Sequence, residues 1–216
     1  RPSPKSISGP SNSLITLSGD ATCPFSDCGR LVSGEHIKAD AQAGRMGEQL
    51  YAVVFKRRMK TTTKSGKRGK DKWERGFRAP RDEDDVSEKV ASALADKLPE
   101  WEALDMVPTE EIGELSNYDR GHRMYGMYKW TDMFAPRQLL GHIVGVDVFR
   151  EILDEEKANG ELSDVQRAAF VYLAIVLDKL LNYNARSTRW DQTTGRVRSV
   201  FDSHNFAMVW SYAEMA

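Results

Sequence analysis

Apolar residues recur at strand or helix spacing in several stretches of the chain. Leu14-Ile-Thr-Leu17 is short and predicts a brief strand. Leu50-Tyr-Ala-Val-Val-Phe55 is rich in β-branched and aromatic residues and predicts a longer one, with Trp73-Glu-Arg-Gly-Phe77 returning beside it as a hairpin. Val86, Val90, Leu94 and Leu98 then recur at helical spacing. Asp82-Glu-Asp-Asp85 opens that helix, because acidic residues suit the positive end of the helix dipole, and Pro99 ends it.

From Pro136 onward the pattern is mostly helical. Proline suits a first helical position, and Leu139, Leu140, Ile143, Val146, Phe149, Ile152 and Leu153 form an apolar face that stops at Asn159-Gly160. Ser163-Asp-Val-Gln166 matches a capping box. Val165, Ala169, Tyr172, Leu173, Val176 and Leu180 form the next stripe, which is expected to be buried, and two helices so closely joined are expected to pack antiparallel. Ser203 is the expected cap of a last helix with Phe206, Val209 and Trp210 inward.

Composition places this pattern in a soluble globular class: 216 residues, 40% hydrophobic and 29% charged, enough for one large domain or two small ones. No apolar run reaches the roughly 18 residues of a membrane helix, so no membrane partner is expected. Arg1-Pro2-Ser3-Pro4 has no signal-peptide core, and the expected compartment is cytoplasmic. The Ser/Pro/Gly-rich residues 1–13 suit a disordered linker. The helical pattern still running at Trp210 to Ala216 suits a piece of a longer protein.

The net charge is −1, so any attraction to a polyanion must be local. Lys56 to Lys72 holds nine Lys or Arg and one acidic residue, Asp71, together with three threonines and two glycines, and is expected to be a flexible basic loop. Arg57, Arg58, Lys64, Lys67 and Arg68 are the candidates for phosphate contacts with double-stranded DNA, and Trp73 and Phe77 could pack on sugar or base. The same composition suits a solvated loop, or one paired with Asp82 to Asp85. Arg189, with Arg196 and Arg198, is a further anion candidate in the polar segment from Asn182 to Trp190. That segment could instead hold adjacent helices through hydrogen bonds.

Cys23 and Cys28 are separated by four residues in a turn-forming stretch. Thiolates so placed can share a zinc ion, whose structural sites take four ligands; His36 is the nearest further donor. A reduced thiol pair or an incidental disulfide is the other reading. Tyr125 to Phe134 places aromatics and methionines beside a helix start, either as a stacking or partner surface or as a loop plugged into the core. The sequence holds no Gly-rich phosphate loop, dinucleotide fingerprint, Gly-x-Ser-x-Gly elbow or His-Glu-x-x-His, and its four histidines are scattered, so no catalytic residue is nominated.

Three stretches taken together resemble one family. They are Ala21-Thr-Cys-Pro and Cys28-Gly with Lys38-Ala-Asp-Ala-Gln-Ala-Gly-Arg-Met-Gly47 and Gln49-Leu-Tyr-Ala-Val-Val54; Tyr125-Gly-Met with Phe134-Ala-Pro-Arg-Gln-Leu-Leu140; and Leu177-Asp-Lys-Leu with Asn182, Arg189-Trp190, Phe201, Met208-Val-Trp210 and Glu214. In that order, from about Ala21 onward, they resemble the zinc-ribbon-containing adenine-specific DNA methylases, permuted amino-methyltransferases often found with restriction or phage-defence genes.

The resemblance implies a parent enzyme that uses S-adenosylmethionine, with the cofactor-binding Gly-rich loop upstream of this region and an Asp/Asn-Pro-Pro-Tyr catalytic motif downstream. Neither motif occurs in this sequence. Cys23 and Cys28 match the second cysteine pair of the family's zinc ribbon, at wider spacing. The fold implied is α+β and mostly α, with a half zinc ribbon and hairpin over 14–80 and a helical subdomain over 81–216. The function implied is that of an internal, non-catalytic region that holds double-stranded DNA and connects the catalytic half-motifs. Its partners would be the rest of the methylase chain and other defence subunits. The alternative is a protein-interaction module of a defence complex with a structural zinc knuckle.

Overall fold

The computed structural model describes residues 19–23, 27–113, 121–202 and 208–214. The linker over 1–13, the strand Leu14 to Leu17, and the Ser203 cap with Phe206 lie outside them. The fold is α+β: four α-helices and three two-stranded antiparallel sheets among the described residues. The chain forms two compact units, Arg1–Asp40 with Arg45–Val86, and Ala41–Gly44 with Ser87–Ala216.

In the first unit β1 (Ala21–Thr22) pairs with β2 (Leu31–Val32), and the Cys23 N–H donates to the Arg30 carbonyl at 2.9 Å, closing a turn that carries both cysteines. Helix α1 (Gly34–Gln42) starts on side-chain caps: the Gly34 N–H donates to Asp20 Oδ1 at 2.8 Å and the His36 N–H to Ser33 Oγ at 3.3 Å. The main feature is the hairpin of β3 (Val53–Met59) and β4 (Lys72–Arg78), paired from Val53 opposite Arg78 to Met59 opposite Lys72.

This hairpin corrects the expected loop. Lys56, Arg57, Arg58 and Met59 lie in β3, and the pairing extends past it through a Thr62–Arg68 bridge. The threonines explain why a Lys-rich segment stays ordered. Thr61 Oγ1 donates to the Lys70 carbonyl at 2.6 Å, the Gly69 N–H to the Thr61 carbonyl at 2.7 Å, and the Thr63 N–H to the Lys67 carbonyl at 2.8 Å. The turn is confined to Thr63 to Lys67, with Gly66 at φ +79° where a side chain would be strained. The unit ends beyond the expected position 80 because Arg78 grips Asp84 in a bidentate pair at 2.5 and 2.7 Å, and Asp84 also accepts the Arg81 N–H at 2.8 Å. Those bonds hold the Asp84 carboxyl well below the usual carboxylate range.

Opposite Phe55 stands Gly76, and the Phe55 ring occupies the space a Cβ there would need. An aromatic ring laid over a cross-strand glycine pins register. Gly76→Val is therefore expected to destabilise the hairpin by about 1–3 kcal/mol, read as earlier loss of amide protection across β3 and β4. Unchanged protection would mean that the ring moves aside freely.

The second unit is built on α2 (Ser87–Ala103), α3 (Pro136–Ala158) and α4 (Asp164–Leu181). Two expectations for α2 are corrected. Asp82–Asp84 makes its own 3₁₀ turn rather than the first turn of α2, and Pro99 lies inside the helix. A proline within a helix costs about 3 kcal/mol. Trp101, two residues on and only 2% exposed, offsets that cost by packing with Val107 and Ile143, against which Leu94, Leu98, Leu139 and Leu140 also pack. The helix stops instead where Asp105 turns left-handed at φ +53° and the Met106 N–H closes back on the Trp101 carbonyl at 2.9 Å.

Helices α3 and α4 follow the sequence closely at their ends. Pro136 starts α3, and Ser163 caps α4, its Oγ accepting the Gln166 N–H at 3.3 Å. The two helices pack on each other, with Phe149 edge-on to Phe170 at 5.8 Å. The expected burial of α4 is not found: Val165 is 80% and Tyr172 72% exposed, and Ala169, Leu173, Val176 and Leu180 are exposed too, as is Ile152 on α3. Helix α4 is apolar on more than one face. The face bearing Phe170, Ala174 and Leu177 is half-buried, while the predicted stripe lies open.

The end of the described chain is not the expected helix. Val200–Asp202 is a 3₁₀ turn, and Trp210 lies in an irregular segment, half-exposed, edge-on to Tyr125 at 5.0 Å. No described helix is long and apolar enough to cross a membrane.

Candidate nucleic-acid interface

Register decides which cations of the hairpin share a face. Residues alternate sides along a strand. One face therefore carries Val53, Phe55, Arg57 and Met59 opposite Arg78, Gly76, Glu74 and Lys72. The other carries Val54, Lys56 and Arg58 opposite Phe77, Arg75 and Trp73. Val53, Phe55, Gly76 and Arg78 on the first face are half-buried, whereas all six residues of the second are exposed. Trp73 is 69% and Phe77 51% exposed. This second face is a ladder of cations and aromatic rings in which Arg75 lies between two rings on β4 and Lys56 stands directly across from it.

The charge of the chain is segregated onto this element. Val53 to Arg78 holds eleven Lys or Arg and two acidic residues, leaving twenty basic and thirty acidic residues elsewhere. A chain of net charge −1 thus carries one strongly basic hairpin.

The six sequence candidates fare differently. Lys64 and Lys67 sit at the turn with no ion pair among the described residues. Arg58 is on the ladder face and pairs with Asp71 at 2.7 Å, which also lies 3.6 Å from Arg68. Arg57 is on the opposite face and pairs with Glu74 at 2.8 Å. The Arg57–Glu74 pair is solvated, worth about 0–1 kcal/mol, and can exchange its carboxylate for a phosphate at little cost, whereas the Asp71 carboxylate is largely buried and ties Arg58 more firmly. Arg189 is not part of the hairpin. It lies in β5 (Arg189–Asp191) of the second unit and pairs with Asp202 at 3.3 Å. Lys56 and Arg75 were missed as site residues, and their signal was the period-two alternation continuing through the Lys-rich run.

The segment from Asn182 to Trp190 holds its neighbours together. The Val200 N–H donates to the Asn182 carbonyl at 2.8 Å, the Arg186 N–H to the Met133 carbonyl at 2.9 Å, and Arg186 Nη1 to the Asp132 carbonyl at 2.9 Å. Asp191 closes the turn between β5 and β6 (Arg196–Arg198). It accepts the Thr194 hydroxyl and N–H, the Thr193 N–H and Arg198 Nε, and these bonds lower its carboxyl to about 2. A folded value below the unfolded one, about 3.9, stabilises the turn above that pH. The stabilisation is lost as pH falls through about 2. The Thr193 and Thr194 amide signals are expected to titrate together in acid and to lose that response in Asp191→Asn. A midpoint near 4 would show that the bonds do not form.

His142 is buried on α3, with Nε2 at 2.7 Å from the Asn184 carbonyl and its ring edge-on to Phe134 at 5.2 Å. Burial lowers its pKa against the opposing hydrogen bond, which leaves a neutral structural imidazole. The aromatic segment both plugs and displays. Met127 and Met133 are buried, while Tyr128 and Trp130 are partly exposed, Tyr128 under the Arg123 guanidinium at 5.2 Å.

The Cys28 thiol pKa is lowered by hydrogen bonding to the Arg30 backbone and to Cys23. His36 pairs with Asp40 at 3.5 Å, and no group of three metal-ligating side chains occurs among the described residues. No family model, curated protein or solved structure matches the chain.

Proposed function

We propose that this chain is an internal, non-catalytic region of an adenine-N6 DNA methyltransferase that holds DNA through the β3–β4 hairpin and connects the enzyme's catalytic half-motifs. The observation that carries the proposal is the exposed cation–aromatic face of that hairpin in an otherwise acidic chain. The sequence resemblance supplies the enzyme class. Methyl transfer would use S-adenosylmethionine bound by residues outside this sequence, which has neither Asp-Pro-Pro nor Asn-Pro-Pro. Zinc would be held by Cys23 and Cys28 with two donors from elsewhere, as a structural ion. A restriction or phage-defence system in the cytoplasm is the setting the resemblance suggests. Titrating the chain onto adenine-containing duplex at increasing salt tests the holding role. The affinity is expected to fall steadily with salt, and an affinity indifferent to salt would defeat the proposal.

The second reading, a protein-interaction module, has its own observation. The open face of α4, with Val165, Tyr172 and Val176, exposes apolar residues that a helix of this composition normally buries. In the methyltransferase reading the occupant of that face is the rest of the enzyme. In the alternative it is another subunit. Charge reversal of Lys64, Lys67 and Arg68 separates the two, since it removes DNA binding and leaves protein association intact.

A further inference from the structure

We infer that the exposed face of β3–β4 is a platform for single-stranded nucleic acid rather than for the paired duplex. The inference rests on the DNA-holding reading and specifies the state of the strand that is held. Trp73 and Phe77 are four residues apart on one face of β4. At about 3.3 Å per residue the Cα atoms that carry them are about 13 Å apart along the strand. Neighbouring bases in a duplex lie only about 3.4 Å apart along the axis, and their faces are already covered by the stack. Two rings carried so far apart match bases that have been unstacked and spread along an extended strand. Arg75 lies between the rings, and Lys56 and Arg58 flank them on β3, where the phosphates of such a strand would run.

A two-stranded ribbon can also enter the major groove of a duplex, and the composition of this face argues against that use. In a groove Lys and Arg read guanine edges and Asn and Gln adenine edges, and neither use calls for a pair of exposed rings. This face presents Trp73, Phe77 and Val54 with Lys56, Arg58 and Arg75, has neither Asn nor Gln, and the carboxylate that meets it, Asp71, is held by Arg58. Aromatic rings with interleaved Lys and Arg are the chemistry of single-strand binding, in which each stacked base contributes about 1–3 kcal/mol. In a methyltransferase that turns its target base out of the helix, such a platform would hold strand left unpaired beside the target.

The test uses the whole chain and fluorescent oligonucleotides of about 12 residues: single-stranded thymidine, single-stranded uridine, and a mixed-sequence duplex. The variants are Trp73→Leu, Trp73→Phe and Phe77→Leu. Leucine keeps apolar bulk and removes the π-face, so the hairpin stays packed, which far-ultraviolet circular dichroism checks. Trp73→Leu and Phe77→Leu are expected to weaken thymidine binding by roughly 5- to 100-fold. Duplex affinity should move less than about threefold, and Trp73→Phe should retain most single-strand affinity. Stacking and phosphate contact do not read a 2′-hydroxyl, so uridine is expected to bind much as thymidine does. An equal loss on duplex and single strand, or no loss on either, overturns the inference. If salt-dependent duplex binding persists while both leucine variants leave single-strand binding unchanged, the platform falls and the DNA-holding role stands. If neither nucleic acid binds, both fall.

Discussion

Replacing Lys56, Lys64 and Lys67 together by glutamine is expected to lower DNA affinity roughly 80-fold at about 0.2 M salt, and roughly 3,000-fold at about 0.05 M. Lys56 stands on the ladder face, and Lys64 and Lys67 flank the turn. None has an ion pair among the described residues, so removing them breaks nothing within the fold. Each lysine that meets a phosphate releases a counterion, and the slope of log K against log salt should flatten by about 2.7 when three contacts are lost. Matching glutamine replacements at Lys89, Lys97 and Lys157, outside the hairpin, are the control and should leave the slope unchanged. Equal effects from both triple variants would mean that the chain meets DNA through diffuse charge and that the hairpin has no special part.

The largest loss of stability is expected at Trp101. Trp101→Ala removes the most deeply buried Phe, Tyr or Trp among the described residues of the second unit and leaves a cavity beside Val107 and Ile143. Such truncations cost about 3–5 kcal/mol, a large part of the roughly 5–15 kcal/mol that a domain has in total. The variant also loses the bond from the indole N–H to Asp147 Oδ2 at 3.3 Å. Trp101 is further the residue that offsets Pro99, so the C-terminal half of α2 should lose amide protection before the N-terminal half. Pro99→Ala in the Trp101→Ala background is expected to restore part of the loss, because it returns a helix hydrogen bond. Chemical denaturation followed by circular dichroism reads both effects. A loss below about 1 kcal/mol for Trp101→Ala would show that this cluster is not the core of the unit.

Much of the architecture was legible because it depends on local chemistry. Ser163 with Gln166 forms a cap from residues three apart, Pro136 starts a helix, and Trp73 to Phe77 alternates as a strand must. What was not legible depends on contacts distant in sequence. Pro99 reads as a stop until Trp101 is seen packed with Ile143 on another helix. The stripe on α4 reads as buried because its spacing is right, yet spacing identifies an apolar face without saying which of two such faces meets α3. Lys56 to Met59 reads as loop because lysine and arginine are poor strand signals. Thr61 and Thr63 tie the ends of the hairpin together through bonds that spacing alone does not reveal.

The candidate site divides in the same way. A basic patch could be located by counting charges. Its useful face could not, because whether Arg57 joins Lys56 or turns away to Glu74 is set by register. Arg189 was attractive as a cation after a helix, and Asp202 beside it is eleven residues beyond the end of β5. The exposed rings Trp73 and Phe77 gain meaning only once Arg75, Lys56 and Arg58 are known to share their side of the sheet.

The central claim is that the hairpin, and not the helical unit, holds DNA. Amide hydrogen exchange of the chain with and without a saturating adenine-containing oligonucleotide, read peptide by peptide, tests it most directly. Added protection concentrated in Val53 to Arg78, with α4 and the β5–β6 turn unchanged, is the expected result. Protection confined to Asp164–Leu181 or Arg189 to Arg198, with the hairpin unaffected, would contradict the claim.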